Sequence, residues 1–249
     1  MLKTIGVIPA RYGSTRFPAK PLALIAGKSM IQRVFEQASK SSALLKVVVA
    51  TDHPEIFDHV VAFGGTACMT SVHHTSGTER CFEVLTQESG KFDYLVNIQG
   101  DEPFIDPAQI DLLVSLFDGR TELATLRKKI DDPTQLTNVN VVKVVVDRHG
   151  HALYFSRSPI PHRRNIPYDQ WLSSGVFYKH IGLYGYRADT LAKIAALAPS
   201  ALEQAESLEQ LRWLEHGFTI HVAETHTETI GVDTPEDLIR ALEFVRGSE

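Results

Sequence analysis

The sequence predicts an α/β protein. A mostly parallel, mixed sheet is flanked by helices in one domain, residues 1–249. Three observations carry this. Short β-branched runs alternate with amphipathic stretches along most of the chain. Several of those stretches open on residues suited to a helix start: Ser29, Asp106-Pro107 and Thr234-Pro235. The chain has 249 residues, 43% hydrophobic and 22% charged, enough for a large core.

Taken in order, Lys3–Ile8 reads as a strand. Met30–Ser39 reads as a helix, because Ser29 and Gln32 form a capping-box pattern. Val47–Thr51 is a strand, Pro54–Phe63 a helix and Ala67–Met69 a short strand. Thr78–Gln87 is a helix whose apolar positions are Cys81, Phe82, Val84 and Leu85. Tyr94–Ile98 is a strand, and Pro107–Phe117 a helix capped by Asp106. The middle differs. "VNVVKVVVD" at 139–147, a turn at His149-Gly150 and a strand at Ala152–Phe155 predict an antiparallel excursion. Residues 157–175 hold three prolines and mixed polarity, which predicts an extended arm or long loop. Val176–Tyr186 returns as a strand. Ser207–His216 is a helix, Thr219–Ala223 a strand and Pro235–Val245 a last helix. No internal repeat or low-complexity tract is visible.

A net charge of −5 gives no basic excess for nucleic acid or an anionic membrane surface. Cys68 and Cys81 make neither a disulfide framework nor a zinc pattern, which fits a reduced, cytoplasmic setting. There is no charged leader with an apolar segment, and no apolar run of about 18 residues to span a membrane.

Ligands of open α/β sheets sit outside the carboxyl ends of the strands. The loop after the first strand, "IPARYGSTRFPAK" at 8–20, concentrates Arg11, Arg16 and Lys20 around Gly13 and Ser14. It could wrap an anion with backbone N–H groups and cationic side chains, or be a solvated loop. Gly27-Lys28-Ser29 mimics the end of a P-loop, but Leu22 stands where that motif needs glycine. Lys28 and Ser29 are better explained as the turn and cap of the next helix. A GxGxxG fingerprint is also absent after the first strand. "NIQGDEP" at 97–103 puts Asp101 and Glu102 after a strand, where a carboxylate can hold Mg²⁺ or simply shape a turn. In "GVDTPED" at 231–237, Thr234 is explained by a helix start; Asp233 could help that cap or complete a metal site.

The segments "IPARYGSTRFPAKPL", "TSGTER", "VNIQGDEP", "ALYFSR", "HIGLYGYR", "LEQLRWLEHG" and "GVDTPEDL" occur in that order. Together they resemble the 3-deoxy-manno-octulosonate (Kdo) cytidylyltransferases, across residues 3–245. The resemblance implies a nucleotide-diphospho-sugar transferase fold. It implies CMP transfer from CTP to Kdo with Mg²⁺ as cofactor, a homodimer with the 157–175 arm at its interface, and a role in lipopolysaccharide assembly. The sugar hydroxyl would attack the α-phosphorus while pyrophosphate leaves. Arg11, Arg16 and Lys20 would hold the triphosphate, and Asp101 and Asp233 the metal, with Arg11, Lys20 and Asp101 the catalytic set. Pro9, Ala10, Ser76 and Arg80 would complete the nucleotide site. By resemblance, Kdo would meet Gln99, Arg157, His180, Tyr184, Glu209 and Gln210. One departure stands out: Ala19 occupies a position where the family has glycine, which asks for a backbone outside the left-handed region. A cytidylyltransferase for N-acylneuraminate or an amino form of Kdo, and a non-catalytic nucleotide-binding protein, remain as alternatives.

Overall fold

A computed structural model describes residues 2–13, 17–88 and 92–246. In chain order the strands are β1 (Thr4–Ala10), β2 (Leu24–Ile25), β3 (Lys28–Ser29), β4 (Lys46–Thr51), β5 (Ala67–Met69) and β6 (Tyr94–Asn97). They continue as β7 (Leu123–Lys129), β8 (Lys143–Val146), β9 (Ala152–Ser156), β10 (Tyr178–Arg187) and β11 (Ile220–Glu224). The helices are α1 (Met30–Ala38), α2 (Pro54–Ala62), α3 (Gly77–Gln87), α4 (Pro107–Val114) and α5 (Pro133–Thr137). After them come α6 (Ala188–Ala195), α7 (Ala201–Glu206), α8 (Glu209–Glu215) and α9 (Pro235–Arg246).

The main sheet runs β11-β7-β10-β6-β1-β4-β5. β1 lies parallel to β4 and β6, with Val7 opposite Val48 and Asn97. Only β10 on this path runs the other way, antiparallel to both β6 and β7. The β8–β9 hairpin leans on the start of β10 and is the predicted antiparallel excursion.

β1 is apolar on both faces because helices cover both. Ile5 and Val7 pack with Cys81 and Val84 of α3, Leu191 of α6 and Trp213 of α8. Ile8 and Ala10 face the other side, among Ile31 of α1, Ile56 of α2 and Ile110 of α4. A smaller cluster of Ile25, Met30, Val232 and Ala241 ties α9 to the β2–β3 hairpin.

Local chemistry explains most boundaries. Ser29 caps α1 by accepting from the Gln32 N–H at 3.2 Å, but the Gln32 side chain bonds Glu36 at 2.9 Å, so the capping box is half made. Ala26 (φ 46°) and Gly27 (φ 79°) turn the β2–β3 hairpin, and Lys28-Ser29 is strand and cap, not a phosphate loop. The 139–147 run forms a strand only over Lys143–Val146. Asn138 Oδ1 accepts from the Asn140 N–H at 2.9 Å and makes a turn of its first residues. The 157–175 segment is less extended than expected. A 3₁₀ turn at Tyr168–Ser174 sets Trp171, 6% exposed, among Ile130, Leu136 and Phe177.

Candidate functional site

β1, β4 and β6 are parallel, so their carboxyl ends open on one edge of the sheet. The loops after β1 and β6 meet the N-terminus of α3 there, around a cavity of about 380 Å³. Pro9, Ala10, Arg11, Lys20, Ser76, Arg80, Gln99, Asp101 and Asp233 all line it. Arg16 lies outside the described residues.

Close approach of the loops depends on Gly100. A Cβ there would stand 2.7 Å from the carbonyl oxygen of Pro9. The loop after β1 is braced on its outer side by Tyr12, whose ring stacks on His53 at 3.9 Å.

The backbone at Ala19 overturns the expectation for that position. Its φ of 54° and ψ of 23° are left-handed. The loop folds back on itself there: the Ala19 N–H donates to the Tyr12 carbonyl at 3.1 Å, and the Ala19 carbonyl accepts from Leu22 at 2.9 Å. Closing both bonds forces the conformation, and alanine tolerates it at a cost of about 1–2 kcal/mol. Ala19→Gly is expected to raise stability by up to about 1 kcal/mol, after the extra unfolded-state entropy of glycine is subtracted. The shift of the urea midpoint measures it.

Ala19 delivers Lys20. The Lys20 Nζ donates to Asp101 Oδ2 at 2.8 Å and to Asp233 Oδ1 at 3.0 Å. Partial burial alone would lower its pKa, but the two carboxylates outweigh that and hold it above the usual lysine value. The backbone makes the meeting possible, since the Val232 N–H donates to the Asp101 carbonyl at 2.8 Å. Capping of α9 falls to Thr234 and Asp237. Thr234 Oγ1 accepts from the Asp237 N–H, and Asp237 Oδ2 accepts from the N–H groups of Thr234 and Asp233. The Asp233 carboxylate is thereby left to face Lys20. Glu102, next to Asp101, is pushed up to about 8 by desolvation and by the Asp101 charge, which favours its neutral form.

Two carboxylates already sharing one cation fit Mg²⁺ chemistry, in which one or two carboxylates act with substrate phosphates. The ammonium seated between them is a stand-in cation. α3 adds a polar end. Ser76 Oγ accepts from the Glu79 N–H at 3.2 Å, and Ser76 and Gly77 line the cavity where the first helical N–H groups lack intrahelical acceptors.

A second cavity, about 190 Å³, shares Pro9, Gly77 and Gln99 with the first. Its remaining wall includes Thr78, Asn97, Tyr184, Tyr186, Glu209, Gln210 and Trp213. Gln99 Nε2 donates to the Gly182 carbonyl at 2.8 Å, within an irregularity of β10 between Ile181 and Tyr184. Glu209 Oε2 accepts from Thr78 Oγ1 at 2.8 Å; desolvation raises its pKa despite that bond. Asn97 Oδ1, the Tyr184 hydroxyl and Trp213 Nε1 are buried without a protein partner among the described residues. Sequence reasoning missed Thr78, Asn97, Tyr186 and Trp213. All four stood inside segments already quoted, but nothing in one sequence says which way a side chain of a strand or helix faces.

Two predicted sugar-site residues lie elsewhere. The Arg157 side chain donates to the carbonyls of Glu206 (2.7 Å), Val139 (2.9 Å) and Ser207 (3.2 Å), and lines neither cavity. Its donors are drawn to backbone ends, tying the exit of β9 to the end of α7. His180 packs between Phe155 and Tyr184, each at 5.1 Å, and bonds Thr125 Oγ1 at 2.9 Å. It stands behind Tyr184, outside both linings. Desolvation pushes its pKa down to about 3. The unfolded chain binds this proton near pH 6.5 and the folded protein does not until about pH 3, so His180 contributes stability above pH 6.5 that is lost as pH falls. His180→Gln should therefore show a melting-temperature deficit at pH 7.5 that shrinks toward pH 4.

A parallel core with an anion-binding edge, two convergent carboxylates and a lysine defines a nucleotidyltransferase-type site. The chain belongs to the cytidylyltransferase family, which it matches over residues 5–225. It is 55% identical to the 3-deoxy-manno-octulosonate cytidylyltransferase of Phocaeicola vulgatus, covering 100% of this chain and 99% of that protein. It is 53% identical to that of Bacteroides thetaiotaomicron, over 98% and 99%. Among solved structures it resembles a CMP:2-keto-3-deoxy-manno-octonic acid synthetase complexed with CTP. The TM-score is 0.92 at 42% identity, over 99% of this chain and 100% of that one. A 4-diphosphocytidyl-2C-methyl-D-erythritol synthase from Anaerococcus prevotii shares the fold alone, at a TM-score of 0.64 and 12% identity.

Proposed function

We infer that the protein transfers CMP from CTP to Kdo, releasing pyrophosphate and supplying CMP-Kdo for lipopolysaccharide biosynthesis. The observation that carries the reading is the full-length likeness to a synthetase complexed with CTP, joined to the Lys20–Asp101–Asp233 cluster in the cavity at the strand ends.

In this reading the triphosphate lies along the loop after β1. Arg11, Arg16 and Lys20 neutralise it, and the open N–H groups of α3 face the nucleotide. Pro9, Ala10, Ser76 and Arg80 surround the base. Kdo occupies the second cavity, where Gln99, Tyr184, Glu209 and Gln210 meet its hydroxyls, and the orphaned polar atoms of Asn97 and Trp213 gain partners. His180 acts from behind Tyr184. Arg157 reaches the sugar carboxylate only by giving up its backbone carbonyls, so we assign it to the arm. Positioning and charge neutralisation dominate such a displacement. Asp101 and Asp233 would hold Mg²⁺, which when bound lowers the pKa of a hydroxyl and stabilises phosphoryl charge.

We also propose that the whole chain is one catalytic domain. It acts in the cytoplasm as a homodimer, with the second copy seated on the 157–175 segment, where Tyr168 is exposed, as is Val176 just after it. Light scattering should return twice the mass of one chain. No described helix is long and apolar enough to cross a membrane.

The reaction is tested by pyrophosphate release from CTP, Mg²⁺ and purified protein. Release with Kdo, and little with N-acetylneuraminate, is expected. The reverse preference overturns the choice of sugar, and no release with either overturns the reaction.

A further inference from the structure

The turn after β4 reads Thr51-Asp52-His53, and the chemistry above makes no use of its acid. Yet this turn holds one wall of the nucleotide cavity. Arg80, in the first turn of α3, is 0% exposed while lining that cavity. A buried guanidinium must have its charge met. Asp52 Oδ2 accepts from Arg80 Nη2 at 2.8 Å, and Thr70 Oγ1 meets Nη1.

Thr70 is itself fixed. Its hydroxyl donates to the Thr51 carbonyl at 3.1 Å and its N–H to the same oxygen at 2.8 Å, which turns a lone pair of Oγ1 toward Arg80. The ends of β4 and β5 therefore clamp the guanidinium from two sides. Asp52 is not among the residues lining the cavity. Arg80 Nε is buried with no protein partner among the described residues.

We propose that Asp52 is a positioning residue for base selection: with Thr70 it locks the Arg80 guanidinium so that its remaining N–H groups present donors only to the pyrimidine edge. The proposal rests on the CTP reading. Cytosine offers adjacent acceptors at O2 and N3, whereas uracil carries a proton on N3. A guanidinium has no acceptor and cannot lose its proton. Held rigidly, it matches cytosine and opposes the uracil N3–H. Without Asp52 it is free to swing, and the opposition weakens.

The test compares CTP with UTP in wild-type protein, Asp52→Asn, Asp52→Ala and Arg80→Lys. Turnover with Kdo, nucleotide binding without Kdo, and thermal melts are all read. In Asp52→Ala the CTP/UTP ratio of kcat/KM is expected to fall about 10-fold or more. The loss should sit in the nucleotide KM, with kcat at saturating CTP within about threefold of wild type and the Kdo KM unmoved. Asp52→Asn, which keeps the shape, should fall between the two. If Asp52→Ala fails to fold, Asp52→Asn and the two binding constants decide. An unchanged ratio with a lower melting temperature in every folded Asp52 variant overturns the proposal, as does equal loss with both nucleotides. An unchanged ratio in Arg80→Lys overturns instead the placing of Arg80 at the base. Absence of wild-type turnover overturns the reaction itself.

Discussion

Asp101→Asn should lower Mg²⁺-dependent turnover by about 100-fold or more, the scale of losing one preorganised charge at a reacting phosphoryl group. The substitution keeps the size of the side chain and the main-chain bond from Val232 to the Asp101 carbonyl. It removes the charge that pairs with Lys20 and that would hold the metal. Two readouts check it. Mn²⁺ binding, followed by electron spin resonance, should weaken sharply, while the melting temperature without metal changes little. Near-normal metal-dependent turnover in Asp101→Asn would remove Asp101 from the metal site.

The second large effect belongs to Lys20. Its ammonium lies between two carboxylates that would otherwise face each other, with its side chain 15% exposed. Lys20→Ala is expected to cut kcat/KM by about 100- to 1000-fold, because a charge on the leaving pyrophosphate loses its counterion. Stability should fall by much less, and added Mg²⁺ should restore part of it by separating the two carboxylates electrically. The pH dependence has a definite sign. The folded pKa is raised, so the ion-pair contribution is complete below the ordinary lysine value of 10.5 and disappears only as pH rises above it. Activity and stability lost in equal measure, with no rescue by Mg²⁺, would mark Lys20 as structural.

The parts of the molecule legible in its sequence are those with strong local signals. β1, β4 and β6 are unbroken apolar runs because both of their faces are covered, and Asp106 and Ser29 announce their helices. β7 was missed. Its buried half reads Leu-Ala-Thr-Leu, but its second half is Arg-Lys-Lys, which continues the strand only because β10 and β11 flank it. α6 and α7 are short, although α7 opens on a local signal, a capping box between Ser200 and Glu203. The cavity at the strand ends was legible because Arg11, Lys20, Asp101 and Asp233, which line it, belong to loops with distinctive chemistry. Arg157 was a charged residue in a distinctive segment, and nothing in its sequence showed that three backbone carbonyls would claim it. The left-handed turn at Ala19 was hidden for a similar reason. A pair of hydrogen bonds to Tyr12 and from Leu22 decides it, and neither is visible in residue preference.

The bond between Lys20 and Asp233 spans 213 positions of the chain. During synthesis Lys20 and β1 emerge well before Asp233. A chain that stops short of Asp233 holds all the residues of β1, β4 and β6 but only one of the two carboxylates that Lys20 meets. The charge cluster therefore closes only after the strands that frame it have been made.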